Sequence, residues 1–233
     1  MRPTTHCQIG LTRNGSPFAQ IFLKVALALA ASFGLAHPIA AAEIDLAGTG
    51  RFKPPSAEQL ARLPADLAFS RQDLASGTWS FLVRYDDRSA DADPDPYVGR
   101  YQSAIRLFRL TVGGTTLDLP VARAELVVSD GGLNFPYRES VRLEASSQTP
   151  LGVMRVGWIQ LNQPPNRVDL RGAPGLLAGD SMPQPSTVAK LATTNASDRF
   201  FLLRVDQPGV ESQPLLYLSS SDVSVLTRAA ALN

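Results

Sequence analysis

The sequence predicts an all-β protein, an antiparallel β-sandwich with a short N-terminal helix, and three observations carry that prediction. From Trp79 onward, Trp79, Phe81, Val83 and Tyr85 alternate with Ser80, Leu82 and Arg84, a period of two with one aromatic face. Gly113-Gly114 separates two further alternating runs, where a two-residue primed turn joins antiparallel strands. Turn-forming residues then punctuate the rest of the chain at short intervals, the spacing of a sandwich rather than of βαβ units.

The chain opens with a segment of different character. Arg2, Arg13 and Lys24 give positive charge with no acidic residue, and Val25 to Ala36 is an apolar run rich in Ala, Leu and Val. His37-Pro38 breaks it, and Ala40-Ala41-Ala42 supplies the small side chains a signal peptidase requires. Residues 1–42 are therefore expected to be a cleaved signal peptide, with the exported chain starting at Glu43. The run is too short for a spanning helix, which needs about 20 apolar residues. Cys7 precedes it, which excludes a lipoprotein cysteine. No membrane span is expected after cleavage.

Residues 43–76 read as an N-terminal entry segment. Ser56 stands at an N-cap position with Gln59 three residues on, Leu60 and Leu63 share a face, and Pro64 stops the helix. Residues 77–233 read as the β-sandwich domain. After the aromatic strand, Phe108-Arg-Leu-Thr-Val112 and Thr115-Thr-Leu-Asp-Leu119 flank the Gly-Gly turn. Counting outward pairs Leu110 with Leu117, Phe108 with Leu119, and Arg109 with Asp118, apolar opposite apolar and charge opposite counter-charge. Further strands are expected over 122–128, 140–145, 152–161, 199–205, 215–218 and 223–226. The Pro/Gly-rich stretch 162–186 argues against any regular element.

Composition excludes much chemistry. His6, Cys7 and His37 are the chain's complement of histidine and cysteine, and all three belong to the leader. The exported domain therefore lacks imidazole and thiolate, which removes Ser-His-Asp triads, cysteine nucleophiles, structural zinc sites and haem ligation. The leader takes three of the 22 basic residues and none of the 21 acidic ones, leaving 19 against 21. That balance gives no electrostatic footprint for nucleic acid.

One loop stands out chemically. Asp86, Asp87, Asp91, Asp93 and Asp95 fall within ten positions, with Pro94 and Pro96 stiffening the end of the run. Several carboxylates on a stiff edge suit a hard cation such as Ca²⁺, which takes six to eight oxygen ligands. These five are the candidate metal ligands, and Ca²⁺ the one cofactor considered. The spacing is not that of an EF-hand: counted from Asp91, position six is Pro96 and position twelve Gln102. The alternative is a solvated loop neutralised by Arg88 and Arg100. Thr187-Val-Ala-Lys190 imitates a nucleophile-x-x-Lys motif with no partner motif. Trp79 and Trp158 are candidates for stacking on sugars, and Trp79 fits the core better because it alternates with Phe81 and Val83.

The runs Trp79-Ser-Phe-Leu-Val-Arg-Tyr-Asp-Asp87, Ala92-Asp-Pro-Asp-Pro96, Gly99-Arg-Tyr-Gln-Ser-Ala-Ile105 and Leu110-Thr-Val-Gly-Gly114 resemble, in that order, a set of secreted bacterial proteins. Those proteins often carry a PEP-CTERM sorting tail. Ser181-Met-Pro183 and Arg199-Phe-Phe-Leu-Leu203 fit the same layout. The resemblance spans much of residues 77–226 and is distinctive over its first third. It implies an exported β-rich domain and no particular activity. Val225 to Asn233 departs from the pattern, with no sorting motif, apolar span or basic tail. The expectation is a free periplasmic or extracellular protein, a non-enzymatic binding or structural module whose partner is a polysaccharide or an envelope protein. The competing expectation is a carboxylate-dependent secreted hydrolase acting on polysaccharide.

Overall fold

The period-two alternation becomes two antiparallel sheets. The structure, a computed structural model, describes residues 43–132, 136–162, 169–171, 175–177, 179–193, 197–209 and 214–229. The expected leader lies outside the described residues. One sheet contains β1 (Glu43–Arg51), β2 (Thr78–Asp86), β4 (Ile105–Val112), β5 (Thr115–Asp118) and β11 (Asp222–Ala229), in the order β11-β1-β2-β4-β5. The other contains β3 (Val98–Tyr101), β6 (Ala124–Asp130), β7 (Glu139–Thr149), β8 (Gly152–Asn162), β9 (Ser197–Asp206) and β10 (Leu216–Ser220), in the order β10-β9-β8-β7-β6-β3. The all-β sandwich expected from the sequence is the fold.

Rings from the two inner faces interlock between the sheets. Trp79 of β2 stacks on Phe201 of β9 with centroids 4.0 Å apart, and Phe81 meets Trp158 of β8 at 6.3 Å. Leu110, Leu126, Leu143 and Leu203 complete this layer and are fully buried. Each such side chain contributes roughly 1.5–3 kcal/mol of burial, which is what a chain without disulfides relies on. Both tryptophans are therefore core residues, and neither is a surface platform for sugar.

The Gly-Gly hairpin has the expected register, with Leu110 opposite Leu117 and Arg109 opposite Asp118. Leu119 N–H closes on Phe108 O at 2.7 Å. Gly113 alone takes a left-handed φ of 56°, the requirement of a type II′ turn at its first central position.

The entry segment differs from expectation at its start. Residues 43–51 are a strand, and β1 lies inside its sheet, paired on both edges with β2 and β11. Its inward positions run Ile44, Leu46, Gly48, Gly50. A Cβ on Gly48 would lie 2.3 Å from Cε1 of Phe81, and one on Gly50 would lie 2.6 Å from Cζ2 of Trp79. The glycines make room for the two rings, and by doing so erase the apolar alternation that signals a strand. The expected helix follows as α1 (Ala57–Arg62), with the Ser56/Gln59 capping box formed. A second short helix, α2 (Arg71–Ser76), is capped by Ser70 and Asp73. The Asp73 carboxylate also accepts from Gly114 N–H and Thr115 Oγ1, both at 2.8 Å, so one side chain ties α2 to the β4–β5 turn.

The stretch expected to be irregular overlaps β8 at Asn162 and α3 (Pro185–Thr193) at its last two residues, and between these its described residues hold no helix or strand. It packs across one end of the sandwich. Tyr85 of β2 donates to Pro183 O and Tyr101 of β3 to Asp180 O, both at 2.9 Å, so the connection is bonded to both sheets.

Candidate functional site

The acidic loop is organised by its own backbone. Asp91 Oδ1 accepts from Asp93 N–H at 2.9 Å and from Arg100 N–H at 2.7 Å. Asp93 Oδ1 accepts from Asp95 N–H, and Asp95 Oδ1 from Tyr97 N–H, each at 3.0 Å. These are successive Asx turns, which suit a segment whose prolines donate no N–H. Asp93 also faces Arg100 at 3.5 Å. Asp86 is buried at the end of β2. Burial alone would raise its pKa, but the Arg88 N–H, the Ser89 hydroxyl and the Arg106 guanidinium hold the carboxyl below its ordinary value. Among the described residues no three acidic side chains converge to hold a metal ion. Asp86, Asp87, Asp91, Asp93 and Asp95 are strung along the loop, and what the contacts explain is the loop's shape.

A second acidic group was not visible in the sequence. Asp130, Glu139 and Asn162 are register neighbours on β6, β7 and β8, and all three are buried. Glu139, fully buried, accepts from Asn162 Nδ2 and from Leu177 N–H of the connection. Gly175 passes so close that a Cβ there would lie 1.9 Å from Glu139 Oε1. Asp130 Oδ1 has no hydrogen-bond partner. Burial first, then the charges of Glu139 and Asp180, push the Asp130 carboxyl up to about 6. Perturbed carboxyls mark functional sites and structural pairings alike. Here the row anchors the connection that covers it.

The outer face of the six-stranded sheet is where groups with defined chemistry reach solvent together. Strand register lines them into rows. The first row reads Tyr217, Arg204, Arg155, Ser146 from β10 to β7, and the second reads Ser219, Leu202, Gly157, Glu144, Glu125 from β10 to β6. A groove of about 550 Å³ lies over these rows, with Gly157 and Leu202 in its floor and Arg123 at one end. Glu125 pairs with Arg100 at 2.7 Å and lies 3.7 Å from Arg142, which reaches Glu144 at 3.3 Å. Asp206 accepts from Nε of Arg155 at 3.2 Å and from Nε of Arg204. Tyr217, at 56% exposure, is the most exposed large apolar side chain of the described residues.

Gly157 is the unexpected member. It interrupts β8 without a left-handed φ, and a Cβ there would meet Glu144 Cγ at 3.4 Å and Leu143 O at 3.5 Å, ordinary packing distances. The backbone does not require glycine, although glycine in a strand costs about 0.5–1 kcal/mol relative to alanine. Such a glycine often marks a place where a ligand approaches the backbone closely. The sequence does carry this signal, a lone glycine between Val156 and Trp158, but nothing in it says that the position lies on the outer face of the sheet, where its neighbours bury it at the base of the groove.

Comparison of the chain with models of known families, with curated proteins and with solved structures finds no match. Among the described residues no helix is long and apolar enough to cross a membrane.

Proposed function

We propose that this chain is an exported, non-enzymatic β-sandwich module of the cell envelope or extracellular space, and that the outer face of its six-stranded sheet is its binding surface. The observation that carries the reading is Gly157, a glycine the backbone does not need, in the floor of a groove walled by charged side chains. The leader, the resemblance to secreted bacterial proteins and the lack of histidine and cysteine beyond the leader support export and a role other than familiar catalysis. The ligand in this reading is a polysaccharide or an envelope protein. The test is co-sedimentation of the protein with insoluble polysaccharides and with peptidoglycan, wild type beside Gly157→Phe. Retention of the wild type and loss in the variant support the reading. Retention unaffected by filling the groove, or no retention on any support, contradicts it.

One observation favours the hydrolase alternative. Glu125 and Glu144 are directly opposed across β6 and β7, so two carboxylates share the groove. Glycoside hydrolysis needs such a pair, one of them as proton donor. Both are engaged by Arg100 or Arg142, which is the arrangement of ion pairs rather than of a proton donor. Reducing-end release from polysaccharide, abolished in Glu144→Gln, would establish the enzyme instead.

A further inference from the structure

The groove proposed above as the binding surface carries donors of Arg123, Arg155 and Ser146 that make no hydrogen bond among the described residues. Arg123 follows Pro120 on a single 3₁₀ turn, and its guanidinium makes no hydrogen bond or ion pair among the described residues. Arg155 uses Nε on Asp206, and its two terminal nitrogens make none, on a side chain 59% exposed. Ser146, the register partner of Arg155, has an unengaged hydroxyl between them. A guanidinium carries five donors and no acceptor, so only an acceptor-rich group completes it. Arg204, the next residue of the row, donates through Nε to the same Asp206 carboxylate.

The groove's own carboxylates narrow the choice of anion. Glu125 and Glu144 line the same groove, in the row beside that of Ser146 and Arg155. A phosphodiester polymer would bring those carboxylates anionic groups with few hydroxyl donors, and nucleic acid is bound by surfaces that neutralise many phosphates at once. A ring bearing one carboxylate and several hydroxyls fits both the arginines and the glutamates. Its carboxylate takes the planar bidentate fork that guanidinium groups offer, and its hydroxyls donate to the glutamates. The exposed ring of Tyr217 continues the same row, where a neighbouring sugar has an apolar face to lie on. The Gly157 floor lets such a ring approach the sheet backbone.

We propose that the groove binds an acidic saccharide, with the carboxylate of a uronate-type sugar held by Arg123 and Arg155. This rests on the reading of the groove as a binding surface and specifies its ligand. The test is calorimetric titration with an oligogalacturonide, the corresponding neutral oligogalactoside, a polyglutamate peptide and inorganic phosphate. Wild type is compared with Arg123→Gln, Arg155→Gln and, as a control on the other sheet, Arg109→Gln. The oligogalacturonide is expected to bind at least tenfold more tightly than the neutral oligomer, with affinity falling as salt rises. Each groove variant should lose about tenfold or more, and Arg109→Gln should lose nothing. All these side chains are exposed, and a melting curve for each variant confirms that it is folded. Equal binding of the acidic and neutral oligomers, unchanged in the arginine variants, overturns the acidic assignment and leaves the binding module standing. Equal binding of polyglutamate or phosphate overturns the saccharide assignment. Binding of none of the four overturns the inference. Co-sedimentation lost in Gly157→Phe would then still support the underlying reading, and its absence would remove that as well.

Discussion

Replacing Asp130 by Asn should stabilise the protein at neutral pH and leave its stability at acidic pH nearly unchanged. Asp130 is 4% exposed, its Oδ1 has no partner, and Glu139 and Asp180 add like charge, so its carboxyl is pushed from 3.8 up to about 6. A group whose folded-state pKa is raised contributes stability that is complete below its unfolded value, near pH 4, and is lost as pH rises through about 6. At 1.36 kcal/mol per pKa unit the loss is about 3 kcal/mol between those limits. Asn keeps an oxygen for the Gly179 N–H that Asp130 accepts and carries no charge beside Glu139. The free energy of unfolding of wild type and Asp130→Asn, measured by urea titration from pH 4 to pH 8, isolates this group from every other titration. The variant should gain about 2–3 kcal/mol on wild type across that range, which for a domain of this size is a melting shift of about 5–10 °C at pH 7.5. A difference between the two proteins that is constant with pH would refute the reasoning, because it would mean that the Asp130 carboxyl titrates as it does in the unfolded chain.

Other predictions follow from single contacts. Asp73→Ala removes the α2 cap together with the bonds to Gly114 and Thr115, and should cost roughly 2–3 kcal/mol by thermal or chemical unfolding. Those donors, the Ser70 hydroxyl first, hold Asp73 well below the usual carboxylate range, so its contribution is present above about pH 4 and is lost as pH falls further. Gly48→Val drives a side chain into the Phe81 ring and should destabilise by 1–3 kcal/mol or more, whereas Gly157→Ala should be neutral or slightly stabilising in the same assay. Millimolar Ca²⁺ should shift the melting temperature no more than Mg²⁺ at matched ionic strength, because Asp91, Asp93 and Asp95 are already engaged by backbone N–H groups. A Ca²⁺-selective rise abolished in Asp91→Asn/Asp93→Asn would show that the loop gathers an ion after all.

What was legible in the sequence was what local pattern encodes. The aromatic alternation of β2, the Gly113-Gly114 register and the Ser56/Gln59 box each depend on residues close together in the chain, and each is found. The strand β1 was hidden because its core-facing positions include Gly48 and Gly50, chosen for the rings of Phe81 and Trp79 that lie far along the chain. β3 follows a run of aspartates and prolines that reads as loop, and it is held as an edge strand by pairing with β6. The five clustered aspartates drew attention as a metal site, yet charge density in sequence does not say whether carboxylates face one another or their own backbone. The groove was illegible for the opposite reason. Arg123, Ser146, Arg155 and Arg204 are scattered over four segments, and only the antiparallel register of β7, β8 and β9 aligns the last three.

The central claim is that the outer face of the six-stranded sheet, and not the acidic loop, is where this protein meets its ligand. Amide chemical-shift mapping of the ¹⁵N-labelled protein during titration with an oligogalacturonide tests it most directly. The account predicts that the shifted amides cluster at Ser146, Arg155, Gly157, Leu202 and Arg204, with residues 86–95 and the β4–β5 hairpin unmoved. Shifts concentrated in residues 86–95, or a spectrum that does not change, would contradict it.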